Sequence, residues 1–165
     1  MKLIIPIEPK AQMRTEPSVI RLADGTYRGG THKKAKQRSR EETLKAFLAL
    51  HQPETPFEGP LLFGLKAYLP MPKMSREKTA QALAGVLRPT TKPDLDNLIK
   101  QIKDCLSQMR YWGDDKQVVG YLPHTGKYYS DQPRWEIEIV EFQPPKIETI
   151  SHIRGQLVCT LPGLV

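Results

Sequence analysis

The sequence predicts a single compact domain of the α/β (α+β) kind, with a small mixed sheet packed by helices. Three observations carry that reading. Residues 134–142 alternate Trp135, Ile137 and Ile139 with Glu136 and Glu138, the period of two that marks a half-buried strand. Residues 61–69 form an apolar run between Pro60 and Pro70, which reads as a central strand. Residues 97–109 place Leu98, Ile102, Cys105, Leu106 and Met109 at helical spacing, with Lys100, Lys103, Asp104 and Ser107 on more polar faces. A chain of 165 residues suits one domain with a genuine core and is too short for two well-stabilised ones.

The remaining elements follow in chain order. Leu3 to Pro9 reads as a first strand. Residues 14–34, with turn signals at Asp24-Gly25 and Gly29-Gly30, read as a hairpin or a long mobile loop. From Ala35 to Leu50 the apolar positions Leu44, Phe47, Leu48 and the alanines predict one buried helix face, ended by Pro53 and Pro56. Ser75 to Leu87, rich in helix formers and stopped by Pro89, reads as a short helix or ordered excursion. Residues 117–122 are strand-like, and the turn-rich stretch 123–133 suggests that they neighbour 134–142 in antiparallel fashion. Pro144-Pro145 marks a boundary, giving a domain over 1–143 and a C-terminal extension over 144–165 with no firm pattern.

Composition narrows the function classes. Hydrophobic residues make up 39% and charged residues 26%, the balance of a soluble globular protein. No apolar run approaches the roughly 20 residues a spanning helix needs, and Pro6 breaks the N-terminal apolar segment too early for a signal peptide, so a cytoplasmic protein without a membrane partner is expected. Cys105 and Cys159 lack CxxC spacing, which argues against a disulfide scaffold or a Cys-rich zinc site, and Cys105 reads as core. Lys and Arg total 25 against 18 Asp and Glu, a net charge of +7 that favours a polyanionic partner. Seven of those basic residues (Arg28, Lys33, Lys34, Lys36, Arg38, Arg40 and Lys45) crowd into 28–45 against Glu41 and Glu42 alone. That cluster is either a phosphate-contacting surface or a solvated helix face.

The segment Lys92-Pro93-Asp94-Leu95-Asp96-Asn97-Leu98-Ile99-Lys100 carries the chemistry. Pro93 disfavours a helical Lys92, so the chain is expected to arrive extended, with Asp94 and Asp96 pointing the same way and Leu95 inward. Asp96 at the helix mouth could be a cap, but a cap needs only one carboxylate. Two neighbouring like charges call for compensation, and oxygen-only ligands point to a hard ion, magnesium or manganese. Lys100, four residues beyond Asp96, is either its i,i+4 ion-pair partner or a cation beside a scissile phosphate. Asp115, in Gly113-Asp114-Asp115, is on local grounds a turn residue; it reaches the other aspartates only if the chain folds back, which Gly113 permits.

Taken together, Pro93-Asp94-Leu95-Asp96-Asn97-Leu98-Ile99-Lys100 followed by Tyr111-Trp112-Gly113-Asp114-Asp115-Lys116-Gln117-Val118-Val119 closely resembles the RusA family of Holliday junction resolvases, the crossover junction endodeoxyribonucleases. The resemblance runs from the first strand to about Glu141, and its specific part is 92–119. It implies a RusA-like fold in which Asp94, Asp96 and Asp115 hold Mg2+, with Mn2+ as a substitute. It also implies that Lys100 is the catalytic lysine, and that the protein is a homodimer whose subunits each cut one strand of a four-way DNA junction. Asp114 is expected to support the loop. Residues 71–91 and 144–165 depart from the compact family pattern and bear on substrate preference and dimer geometry.

Tyr27, Arg28, His32, Lys33 and Lys34 form the expected DNA-contacting loop, the basic groups on phosphates and Tyr27 either stacking on an exposed base or packing. The other histidines, His51, His124 and His152, are scattered and read as structural or surface residues, while Trp112 and Trp135 are expected to pack in the core. Two competing readings remain: a non-catalytic branched-DNA-binding protein, and a nuclease acting on flaps or replication intermediates.

Overall fold

The structure, a computed structural model, describes residues 1–10, 16–32, 35–144, 149–153 and 156–160. Its main sheet is built on β4 (Leu61–Pro70), with β7 (Arg134–Glu141) antiparallel along one edge and β1 (Lys2–Ile5) antiparallel beyond it. Along the other edge of β4 run β5 (Val118–Tyr121) and β6 (Gly126–Ser130), both parallel to it, so the sheet is mixed as expected.

The alternating patterns decide which face is buried. Leu61, Phe63, Leu65 and Ala67 of β4, Trp135, Ile137 and Ile139 of β7, and Leu3 and Ile5 of β1 point to one side and are buried. Two helices cover that side, α1 (Ala35–Ala49) and α3 (Leu95–Gln108). Leu98, Ile102 and Leu106 of α3 are fully buried there, and each contributes about 1.5–3 kcal/mol relative to exposure. Cys105, Trp112 and Trp135 lie in the same core, as expected. The opposite sheet face is polar: Arg134 bonds Glu136 at 2.8 Å and lies 3.8 Å from the Tyr68 ring, and Lys2 pairs with Glu138 at 3.3 Å.

Helix α1 departs from its expected stripe. Ala35, Ala46 and Ala49 are exposed, and Gln37, Glu41, Leu44 and Leu48 form the buried row at spacings of four, three and four. Gln37 Nε2 donates to Glu41 Oε1 at 2.9 Å, a bond that joins the two polar side chains of that row.

The strand neighbours also differ from expectation. β5 and β7 are not adjacent, because β4 lies between them. The stretch 123–133 hides β6, whose Tyr128 pairs with Tyr68 across β4. β5 and β6 share one edge of β4, interrupted where Leu122 N donates to Phe63 O at 2.9 Å and Thr125 Oγ1 accepts from Leu65 N at 3.4 Å. Gly64 lies beneath that interruption, and a Cβ there would meet His124 Nε2 at 2.7 Å and Leu122 Cδ1 at 2.9 Å. The chain then passes over the end of β4 and returns as β7, its turn held by Gln132 N and Arg134 Nη1 donating to Ser130 Oγ.

Residues 16–32 form the hairpin reading of that segment: β2 (Glu16–Arg21) and β3 (Tyr27–His32) pair antiparallel with Ile20 opposite Arg28. Asp24 Oδ1 accepts from Thr26 N at 2.9 Å and Gly25 takes a φ of 83°, closing the turn. The excursion before the acidic motif contains α2 (Arg76–Leu83), N-capped by Ser75, whose side chain accepts from Lys78 N. In the C-terminal extension, β8 (Thr149–Ile153) and β9 (Gln156–Thr160) pair antiparallel. Among the described residues no helix is long and apolar enough to cross a membrane.

Candidate active site

Helix α3 starts two residues earlier than its periodicity suggested, and this changes the geometry of the acidic motif. Asp94, not Asp96, takes the N-cap position, with extended backbone at φ −73° and ψ 143°, and Asp96 lies in the first helical turn. The two carboxylates therefore leave the chain from an extended and a helical residue, and the period-two argument that aligned them does not apply. The alignment that exists is helical: Asp96, Lys100 and Lys103 follow at spacings of four and three along one face of α3.

Neither bland alternative for these residues is realised. The Asp94 side chain makes no cap hydrogen bond although its backbone occupies the cap position. Lys100 forms no ion pair with Asp96, and among the described residues the side chains of Asp94, Asp96 and Lys100 have no hydrogen-bond or ion-pair partner. All three are exposed.

The chain does fold back after α3. Tyr111 is buried, its phenol donating to Leu48 O at 2.8 Å, and burial pushes its pKa up to about 12. Trp112 packs edge-on against Phe63 at 6.2 Å. These two anchors deliver Gly113-Asp114-Asp115 to a single 3-10 turn, Asp115–Gln117. Asp114 caps that turn by accepting from Lys116 N at 2.9 Å, a bond that holds its carboxyl below the usual range. Asp114 is thus the loop support it was expected to be. Gln117 completes the arrangement: its Oε1 accepts from Gly113 N and Asp114 N, and its Nε2 donates to Phe57 O and Gly59 O, each at 2.8–3.0 Å.

Asp115 and Asp96 meet at one open cavity of about 580 Å³, lined also by Lys100, Lys103 and Asp104, with Leu95, Ile99 and Tyr121 as its apolar wall. Asp94 stands just outside this lining, at the helix start. Lys103 is a site residue that sequence reasoning missed; its side chain is only 15% exposed and its ammonium lies 3.4 Å from Asp115. Its spacing of seven from Asp96 is the signal that would have placed it here. Among the described residues no three His, Cys, Asp or Glu side chains gather closely enough to form a ready-made metal cage. Magnesium needs none: one or two carboxylates, waters and substrate phosphates suffice, so the oxygen-only pair of Asp96 and Asp115 fits a hard divalent ion.

The comparisons with known proteins cover this same ground. The family model of endodeoxyribonuclease RusA matches residues 6–140, from just beyond β1 to the next-to-last residue of β7, with the whole cavity inside it. This chain belongs to the RusA endodeoxyribonuclease family. The uncharacterized protein YqaN of Bacillus subtilis (strain 168) is 40% identical over 141 residues, 81% of this chain and 91% of that protein. A crossover junction endodeoxyribonuclease, rusA of Lactococcus phage r1t, is 42% identical over 52 residues, 32% of this chain and 38% of that protein.

In this RusA-family chain Tyr27, Arg28 and His32, of the expected DNA-contacting residues, lie on the β2–β3 ribbon and are not part of the cavity lining. Tyr27 is 70% exposed, so it does not pack, and Arg28 is exposed beside it. His32 ends β3, while Lys33 and Lys34 lie outside the described residues. On α1, Lys36 and Arg38 are exposed and Arg40 and Lys45 half-buried, so the described basic residues of that helix keep at least partial access to solvent. The segment 71–91 is docked on β6: Arg88 lies 3.6 Å from the Tyr128 ring and donates to Lys127 O.

Proposed function

We propose that this RusA-family protein is a magnesium-dependent, structure-selective endodeoxyribonuclease that resolves four-way (Holliday) DNA junctions by paired phosphodiester hydrolysis, acting as a homodimer. The observation that carries the reading is the convergence of Asp96, Lys100 and Asp115 on one open cavity, from a helix start and from the loop that follows the same helix. Asp96 and Asp115, with Asp94 at the rim, would hold Mg2+ or Mn2+ by oxygen donors alone. When bound, the ion supplies Lewis-acid activation of water and charge neutralisation at the phosphate.

The chain's own groups do the rest. Lys103 holds the Asp115 carboxylate toward the cavity, and Gln117 fixes the loop behind it. Lys100, exposed and without an ion-pair partner among the described residues, presents a positive charge to the negative charge that develops during attack. The basic face of α1, with Arg28, Lys33 and Lys34, contacts phosphates, and the exposed Tyr27 ring offers a stacking surface for an unpaired base. A single Asp94-Asp96 motif followed by a single Asp114-Asp115 pair in each chain and the two-fold relation of opposed strands in a four-way junction together favour a C2 dimer.

The test compares matched duplex, flap and four-way substrates with Mg2+. Symmetric paired cuts confined to the four-way substrate are expected. Preferential flap cleavage, or junction binding without cleavage, would replace the proposal with one of its two competitors.

Lys100→Ala is expected to lower junction cleavage by about 10²–10³-fold with junction affinity little changed. A defect fully rescued by raising Mg2+ would place Lys100 in ion binding instead. Replacing Lys33 and Lys34 together with alanine is expected to reduce the salt dependence of binding by roughly 2 in slope, one step per lost phosphate contact. An unchanged slope in a titration from low to moderate salt removes both lysines from the interface.

A further inference from the structure

We propose that Lys127 is a positioning residue for the acidic site, its ammonium reaching from β6 to fix the turn that delivers Asp94 to the start of α3. This rests on the reading of Asp94 as a metal-holding carboxylate. Lys127 Nζ donates to Thr91 O at 2.8 Å and to Pro93 O at 3.0 Å, and Pro93 immediately precedes Asp94. Residues 89–93 belong to no helix or strand, so their carbonyls have no ladder partners, and an ammonium with three donors can serve two of them at once. Among the described residues Lys127 has no carboxylate partner; its charge is committed to these two carbonyls.

The other end of this link is rigid. Lys127 pairs with Ala67 of the central strand, a buried core residue, so the ammonium is referenced to the sheet. A general role in docking the 71–91 excursion is already filled by other contacts. Arg88 donates to Gly85 O and Lys127 O and lies over the Tyr128 ring, and Gly85 rests 3.8 Å from that ring by the position its Cβ would take. None of these needs the Lys127 side chain. Its removal therefore leaves the excursion docked and releases only residues 91–94.

The experiment uses the full chain with Lys127→Met, Lys127→Arg and, as reference, Asp94→Asn. It measures Mn2+ binding by calorimetry without DNA, kcat and KM on a four-way junction, and the thermal midpoint. Lys127→Met is expected to weaken Mn2+ binding and lower kcat by about 10–100-fold, the usual cost of losing a group that orients a ligand. KM and the midpoint should stay near the parent values, and Lys127→Arg, which can also donate to two carbonyls, should recover most of the loss. Parent-like kcat and Mn2+ affinity in Lys127→Met overturn the positioning role while an inactive Asp94→Asn upholds the site. A joint fall of kcat, affinity and midpoint in both Lys127 variants reduces Lys127 to a structural pin and overturns it as well. Parent-like cleavage by Asp94→Asn removes the reading beneath the proposal, and the proposal falls with it.

Discussion

Asp96→Asn is expected to abolish junction cleavage, a loss on the order of 10³-fold or more, while folding and DNA binding persist. The amide keeps the size of the side chain and removes the charge that would hold a hard cation. Asp96 is the cleanest position for this test. It is exposed in the first turn of α3, lines the cavity, and has no hydrogen-bond or ion-pair partner among the described residues to lose. What stability it contributes comes from its place near the helix start, worth about 0.3–1 kcal/mol at an exposed site. Asp94→Asn should behave in the same way, since the Asp94 side chain makes no cap hydrogen bond to lose. Asp115→Asn is less clean, because it also breaks the 3.4 Å pair with Lys103. Cleavage of a synthetic four-way junction, read beside gel-shift affinity and thermal midpoint, decides the matter. A purified Asp96→Asn protein cutting at the parent rate would sink the site assignment.

Phe63→Ala is expected to cost about 3–5 kcal/mol of stability, a large share of the roughly 5–15 kcal/mol that holds a domain together. Phe63 is fully buried on the central strand, facing the helices, and its ring meets Trp112 at 6.2 Å and Tyr121 at 6.3 Å in edge-on contacts. Those two neighbours tie the core to the cavity: Trp112 precedes the Gly113-Asp114-Asp115 loop, and Tyr121 is part of the cavity wall. The truncation therefore leaves a void and frees both sides of the site at once. Urea denaturation measures the first effect. A loss below about 1 kcal/mol would show that Phe63 does not organise this core.

Elements whose evidence is local were readable in advance. The period of two at Trp135, Ile137 and Ile139, the apolar run at 61–69 and the helical spacing from Leu98 to Met109 each record which face a segment buries, and β7, β4 and α3 bury those faces. The acidic motif itself was readable for a similar reason: a pair of aspartates, a lysine four residues on and a later Asp-Asp pair form a pattern along the chain. Its family was readable from the same residues, and the match over 6–140 bears that out.

What depends on neighbours distant in sequence was decided only in the folded chain. β6 was hidden because Gly126, Lys127 and Ser130 resemble a turn; the edge of β4 supplies the backbone partners that make a strand of them. The helix start moved to Leu95 because Asp94 and Asp96 are equally good candidates for a cap, and local preference cannot choose between them. Gln37 and Glu41 lie in the buried row of α1 and bond to each other, which hydrophobicity alone does not foresee. Lys103 reads like any charged residue on a polar helix face until the chain returns and sets Asp115 beside it. Sequence by itself determined which residues are candidates for the chemistry and which faces are apolar, since both are written in residue type and spacing. The tertiary structure decided which of those residues share a cavity and what holds them there, because partners separated by many residues are set by sheet pairing and helix packing, and no local preference encodes them.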